Sequence, residues 1–470
     1  MELSSTIKRV KRNFMDQAAE QKNDRKETFG WMMYDWANSV YYTTVIGVLI
    51  APYLTSLAQA HVGENGVVFD LGSLGSVTAK SLTSATTVVG VIIQAGVMIF
   101  LSAIADYSNL KKVFMMVLCY LGVAAAFLMF FIDGDNYLFG CLLLIFANVC
   151  VGSSLVFYNA LLTEIASEDQ RDRVSAKGYA LGYAGGSIML ILDLLLLYAA
   201  PQLGISTSMA VRICLAGAAL WWGGFAIITF RRIKDRGTTK PRPPGKNIVA
   251  LAFGEIRATI AHLIKLKYTL SFLAAYLFYN DGIQTVIYQA SVFIEQELFI
   301  ARGEPSNPMF LLLLFLETQI VALIGSLFWE RLSRRIGNKT TILVSLVWWA
   351  GIVFYAYVFL KVPSQAWYLG AAIGFVLGGT QALSRSLYSQ MIPRGKESSF
   401  FSFYEISEKG TSWMGLLTFS IIVASTGSYR NAILAVVVFF VIGGLILFFT
   451  DTTKAIHAAG NITPEEAAKE

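Results

Sequence analysis

Two polar triads stand inside otherwise apolar sequence. Residues 34–42 read YDWANSVYY and residues 279–288 read YNDGIQTVIY. Asp35, Asn38 and Tyr42 are spaced i, i+3, i+7, and Asp281, Gln284 and Tyr288 repeat that spacing 246 residues later. At 3.6 residues per turn each trio lies on one helical face. A carboxylate, a carboxamide and a phenol on one stripe can take up a proton or hydrogen-bond a polar solute. Arg385, in QALSRSLYSQ, adds the opposite charge on a face shared with Gln381, Ser384 and Tyr388. An arginine keeps its charge, so it needs a carboxylate partner or an anionic ligand such as the carboxylate of an amino acid. Asp281 and Glu405 are the candidate partners. Glu317, beside Thr318 and Gln319, and the more isolated Asp193 complete the set. Glu405, Glu408 and Lys409 are spaced for a local ion pair near a helix start, which is a structural alternative.

These charges matter because of where they fall. A charge at mid-bilayer costs roughly 2.5–3.5 kcal/mol on insertion scales, and such residues face a cavity or a partner. The chain is 55% hydrophobic and only 14% charged, against about 25% charged in soluble domains. Twelve apolar stretches are each long enough to cross a ~30 Å hydrocarbon core. They cover 31–57, 81–105, 112–132, 136–164, 176–200, 208–230, 268–297, 307–331, 339–360, 365–391, 399–425 and 429–450. The fold class is therefore an all-α membrane protein, with no room for a separate soluble domain. Residues 1–28 are polar and basic, unlike a cleavable signal peptide. Cys119, Cys141, Cys150 and Cys214 all fall in apolar spans without metal-ligand spacing and read as small buried hydrophobes.

Lysines and arginines flanking the spans set the orientation. Thirty lie on the side of the termini and five on the other. Both termini are expected in the cytoplasm, and the net charge of +6 needs no nucleic-acid partner.

The longest connector opens with RRIKDRGTTKPRPPGK and separates six spans from six. The expected organisation is a basic tail (1–30), a six-helix half (31–230), a cytoplasmic linker (231–267), a second half (268–450) and a tail (451–470). In the linker Ile248, Leu251, Ala252, Ile256, Ile260 and Ile264 fall near helical spacing, predicting an amphipathic helix on the membrane surface. The loops SAIADYSNLKK (102–112) and ERLSRRIGNKT (330–340) align at an offset of 228. Two six-helix pseudo-repeats pointing the same way are a parallel-repeat transporter architecture, with the cavity between halves. The paired triads would then face each other; the structural alternative is a hydrogen bond or ion pair joining the halves. Gly178, Gly182 and Gly186, four apart in the fifth span, read as close helix packing. Tyr158 and Asn159 are as suited to stitching helices as to touching a ligand.

The first of those loops resembles the short motif between spans 2 and 3 of the major facilitator superfamily. Asp106, Lys111 and Lys112 match it, whereas Ser102 and Asn109 replace glycines and Leu110 a basic residue. The resemblance implies that the three matching residues gate the cytoplasmic side. YDWANSVYYTT, YNALLTEIASEDQRDRVSAKGYALGYAGG, LFYNDGIQTVIYQA, GGTQALSRSLYSQMIPRGKESSFFSFYEISEKGTS and TGSYRNAIL resemble the vacuole-effluxer, autophagy-related permease branch, in its bacterial form. That resemblance implies the major facilitator fold and a secondary transporter, an amino-acid effluxer in fungal members, in a bacterial plasma membrane.

The expected function is alternating-access movement of a small polar solute, amino acids being the candidate, with protons coupled through Asp35. Asp35, Asn38, Tyr42, Asp281, Gln284, Tyr288, Glu317 and Arg385 are the expected binding residues. The expected partners are the lipid bilayer, the solute and protons, in a monomer, with no cofactor or metal. The alternative is a non-transporting membrane sensor or scaffold. No GxxxxGK[ST], HExxH or GxSxG is present, so neither an ATP-driven pump nor an intramembrane enzyme is expected.

Overall fold

A computed structural model describes residues 22–64, 66–70, 72, 76–106, 110–234, 248–305, 307–410 and 413–469. The basic tail before residue 22, Asn109 and the Pro-rich part of the linker lie outside the described residues. Among those described, ten helices are long and apolar enough to cross a membrane. They start with a continuous helical segment made of α1 (Arg25–Val40), a π-helical stretch (Tyr41–Leu49) and α2 (Ile50–Val62). Then follow α3 (Leu82–Ala105), α4 (Lys111–Leu128), α5 (Tyr137–Ile165), α6 (Arg171–Ala199) and α7 (Thr207–Arg232). After the linker helix α8 (Ile248–Lys265) and α9 (Lys267–Leu298) come α10 (Pro308–Ile336), α11 (Asn338–Val358) and α12 (Pro363–Gln390).

The helix α9 has 32 residues, about 48 Å at 1.5 Å per residue, but its interior carries Asn280, Asp281 and Gln284. The next span is broken into α13 (Glu397–Glu405), a π turn (Ile406–Gly410) and α14 (Trp413–Thr426). The last of the ten spans is α15 (Tyr429–Ala435) with α16 (Val437–Phe449). With α9 and the broken span, these elements occupy the twelve positions expected from sequence. Two short helices, α17 (Thr452–Ala458) and α18 (Pro464–Ala467), end the chain.

Two features go beyond what the sequence reading addressed. The first and eleventh spans are not uniform helices, because π stretches interrupt them where polar residues crowd. The connector after α2 carries a two-stranded antiparallel hairpin, Val67–Asp70 with Ser76–Thr78. Such short strands give too little alternation to read from sequence.

Apolar side chains sort into two large clusters. One draws on residues between Trp31 and Ile233. The other draws on residues between Leu263 and Ile456, with Met98, Val156 and Ala160 added. The two sets meet where α6 lies against α10 and α12, and where α13 lies against α3 and α5. Large exposed side chains such as Leu142, Leu195, Val347 and Phe449 form an apolar exterior suited to lipid. The linker helix α8 rests on α3: Ala252 packs with Ala103 and Ile104, while Phe253, Ile260 and Ile264 are exposed.

The packing of α6 on α1 depends on glycine. A Cβ on Gly185 would stand 2.6 Å from the Trp36 carbonyl oxygen, and one on Gly186 would stand 2.5 Å from Thr43 Oγ1. Small residues here let the two backbones approach, which is what associates helices when lipid removes the hydrophobic drive. Gly185→Ala is therefore expected to cost roughly 1–3 kcal/mol, the range for overpacking, and to lower the thermal midpoint. Gly96→Ala, where a Cβ meets nothing within 4 Å, is the control and should not lower the midpoint, since alanine is the better helix former.

Candidate functional site

Arg385 sits on α12 with 2% of its surface exposed. Its Nη2 lies 3.3 Å from Asp35 Oδ2 on α1, so an ion pair joins residues 350 apart. The same guanidinium donates from Nε to Ser175 Oγ (2.9 Å), from Nη2 to the Ser175 carbonyl (3.0 Å) and from Nη1 to Asn159 Oδ1 (3.4 Å). Three rings surround it, at 4.9 Å (Trp31), 5.5 Å (Tyr158) and 4.3 Å (Tyr179) from the centroids. Cation–π contacts of this kind gain strength when desolvated. Trp31 and Tyr158 stack at 4.2 Å, and Trp31 Nε1 donates to the Tyr158 carbonyl.

Gly178 makes room for the pair. A Cβ there would come within 2.5 Å of Asp35 Oδ2 and 3.3 Å of Arg385 Nη2. The glycine that sequence spacing assigned to helix packing thus also clears the ion pair. The sequence candidates for the partner of Arg385 were Asp281 and Glu405, and the structure places Asp35 there instead. Glu405 joins the cluster at one remove, accepting from Asn159 Nδ2 at 2.6 Å. The residues that share the Arg385 face turn to different neighbours: Gln381 accepts from Tyr183, Ser384 bonds Tyr279, and Tyr388 donates to the Phe400 carbonyl.

The second triad is placed differently. Asp281 is fully buried on α9, and its Oδ2 accepts the Gly415 N–H at 2.8 Å. Gly415 is the third residue of α14, so the carboxylate caps the helix that restarts after the break. Asp281 Oδ1 has no hydrogen-bond partner among the described residues. Neighbouring Asn280 donates to the Glu408 carbonyl, and Tyr276 donates to Glu408 Oε2. The α9 helix therefore grips both sides of the break. Asn38 and Gln284 are buried, Tyr42 is half-buried and Tyr288 is 53% exposed. Glu317 faces Gly370 on α12, and its Oε2 is buried without a partner among the described residues. Gln319, two residues on, donates to Thr43 Oγ1 in the first span at 3.2 Å.

A second polar layer lies at the end carrying α17 and the start of α1. Asp106 Oδ1 and Oδ2 accept the Ser398 and Ser399 N–H groups at 3.1 and 3.0 Å, capping α13 from the other cluster. Lys111 Nζ is shared between Glu164 (2.8 Å) and Glu397 (3.0 Å). Lys112, at the same turn, is half-buried. Arg171 Nη1 donates to the Ser389 carbonyl at the end of α12. Burial raises the Glu168 carboxyl, but the charges of Arg171 and Lys22 outweigh it and hold the group below its usual range. Asp172 accepts from Asn338 Nδ2 and Ser333 Oγ. Lys396 pairs with Glu255 of α8 at 3.2 Å.

Sequence reasoning missed Trp31, Ser175, Tyr179, Glu164, Glu397 and Arg171. Each lies in or beside a quoted motif block, but only the fold shows that they converge.

Residues 23–460 match the family model described as "Vacuole effluxer Atg22 like". The chain is 31% identical to the uncharacterized MFS-type transporter YxiO of Bacillus subtilis, over 94% of this chain and 99% of that one. It is 23% identical to autophagy-related protein 22-2 of Aspergillus niger, over 92% and 90% of the two chains. Among solved structures it resembles the proton:xylose symporter XylE, with TM-score 0.65 and 14% identity over 95% and 99% of the two chains. The E. coli fucose:proton symporter FucP gives TM-score 0.60 and 13% identity over 92% and 99%. At these identities the solved structures establish the major facilitator fold alone.

Removing one partner of a buried ion pair strands the other charge and typically costs 3–5 kcal/mol. Arg385→Ala and Asp35→Ala should each lower the thermal midpoint strongly. The double variant should be less destabilised than the sum of the singles, which thermal unfolding in detergent measures as a double-mutant cycle.

Proposed function

The chain belongs to the vacuole effluxer Atg22-like family of major-facilitator-type transporters, and on that premise we propose that it moves amino acids by alternating access. It is a multi-pass membrane transporter, not an enzyme. The observation that carries the reading is the Asp35–Arg385 pair, which spans the two apolar clusters inside an aromatic box. An α-amino acid presents an ammonium and a carboxylate. Separating the pair would offer each a complementary partner, and the solute would replace the charge contact that holds the halves together.

Around that pair we assign Asn38, Tyr42, Asp281, Gln284, Tyr288 and Glu317 to the solute path. The buried atoms of Asn38 (Nδ2) and Glu317 (Oε2), without a partner among the described residues, support this, because a buried polar group without a partner is costly unless something bonds it in another state. Asp106, Lys111 and Lys112 are the gate of the same proposal. Their layer, with Arg171 and Asp172, joins the clusters at the end of the termini. With that end in the cytoplasm, as the lysine and arginine bias indicates, we read this layer as a closed inner gate. Efflux across a bacterial plasma membrane by a monomer, driven by a proton gradient, completes the reading. The transporter relatives do not favour a sensor or scaffold.

The test is flux of a labelled amino-acid panel in proteoliposomes, with and without a pH gradient. Wild type should move at least one member. Arg385→Lys, which loses the planar fork but keeps the charge, should reduce flux at least about tenfold, a loss of about 1.4 kcal/mol. No flux of any member would overturn the amino-acid reading. Asp106→Ala, which removes the cap on α13, should shift the protein toward the state open at the termini, measured as increased alkylation of cysteines placed at that end.

A further inference from the structure

Asp193 is an intramembrane carboxylate that the solute site does not use. Asp193 lies on α6, far along the helix from the closed end, and is 2% exposed. Its Oδ2 accepts the Thr44 Oγ1–H at 2.6 Å. Thr44 belongs to the π stretch that interrupts the first span. From α7 the Cys214 thiol lies beside the same carboxyl. Cys214 is the titratable group facing Asp193 from α7, the π stretch presents a hydroxyl, and the Glu317 carboxylate of α10 is turned to Gly370. Among the described residues no cation pairs with Asp193.

Asp35 is a poor place for a coupling proton by comparison. Protonating it would leave the Arg385 charge buried beside a neutral acid, and a buried charge without its partner is strongly disfavoured. Asp193 carries no such penalty. The Thr44 hydroxyl beside it is uncharged and can donate to the carboxylate or accept from the acid.

The π stretch connects Asp193 to the interface between the clusters. Thr43, next to Thr44, accepts from Gln319 Nε2 of α10. Among the cross-cluster hydrogen bonds described above, this is one of the two farthest from the closed end, with Tyr183–Gln381. Gly186, one face-repeat before Asp193 on α6, seats the Thr43 hydroxyl. So α6 holds the π stretch at both Thr43 and Thr44. The wider π turn is a higher-energy backbone that persists only when its surroundings hold it, and such turns mark functional sites.

We propose that Asp193 is the proton-binding residue that holds or releases the π stretch of the first span, and through Thr43 the contact with Gln319. Resting on the transporter reading, this names the coupling residue. The proton adds to a carboxylate oxygen from water on one side and leaves to water on the other, with no other bond made or broken. Binding that differs between two conformations is what allows a proton gradient to shift their populations.

The experiment needs no solute. Spin labels on His61→Cys, in the last turn of α2, and Ala301→Cys, in the turn just after α9 (Ile300–Arg302), report the distance across the outer mouth in the full-length protein in lipid. Infrared spectra of the same samples report protonated carboxyl groups. Wild type should show a distance distribution that changes with pH and a carboxyl band that titrates alongside it. Asp193→Asn keeps an acceptor for Thr44, so it is expected to fold. It should lose that band and fix the distance at all pH values. Thr44→Val should keep the titrating band but lose the distance change. A distance response in Asp193→Asn equal to wild type, or no pH response in wild type, overturns the proposal. Failure of the amino-acid panel with the distance response intact would overturn the solute reading alone.

Discussion

The Asp35–Arg385 pair is the constraint around which the rest is arranged. A guanidinium cannot be left in a low-dielectric interior without a counter-charge. Here the carboxylate, the Ser175 and Asn159 oxygens and three aromatic faces together satisfy it. Those groups come from α1, α5 and α6, and the arginine itself from α12, so one charge fixes the relation of four helices. Gly178 is required because the pair occupies the volume of its missing side chain.

The same economy explains the irregular helices. In lipid, backbone that leaves the regular helix must find bonds inside the protein. The break between α13 and α14 finds them on α9, where Asp281 takes the Gly415 N–H and Asn280 donates to the Glu408 carbonyl. The π stretch of the first span is held instead through its side chains, Thr44 donating to Asp193 and Thr43 accepting from Gln319. Polar residues that look misplaced in an apolar span are therefore the supports of its irregular turns.

The internal duplication is visible in supports away from the site. Arg212, in the first turns of α7, pairs with Asp133 after α4 at 3.0 Å. Arg430, at the start of α15, pairs with Glu297 at 2.7 Å and donates to carbonyls at the end of α11. Both arginines fasten the last span of a half to the end of its third. The triads do not share this equivalence. Asp35 reaches the other cluster, whereas Asp281 stays within its own.

What the sequence by itself determined is whatever depends on local pattern. Apolar length and charge density dictate an all-α membrane chain, and the lysine and arginine bias points to one side for both termini. Helical spacing put Asp35 with Asn38 and Asp281 with Gln284, because neighbours on a helix face follow from a 3.6-residue turn. The motif blocks marked the segments from which the site is built. Only the tertiary structure decided the pairings. Residues 350 apart meet through the packing of α6 on α1 and α12, and periodicity along one helix carries no information about which helix lies opposite. The partner of Arg385, the role of Asp281 as a helix cap, the exposure of Tyr288 and the bond from Thr44 to Asp193 all depend on that packing. A buried charge requires some partner, which sequence can state, but the partner's identity is a matter of geometry.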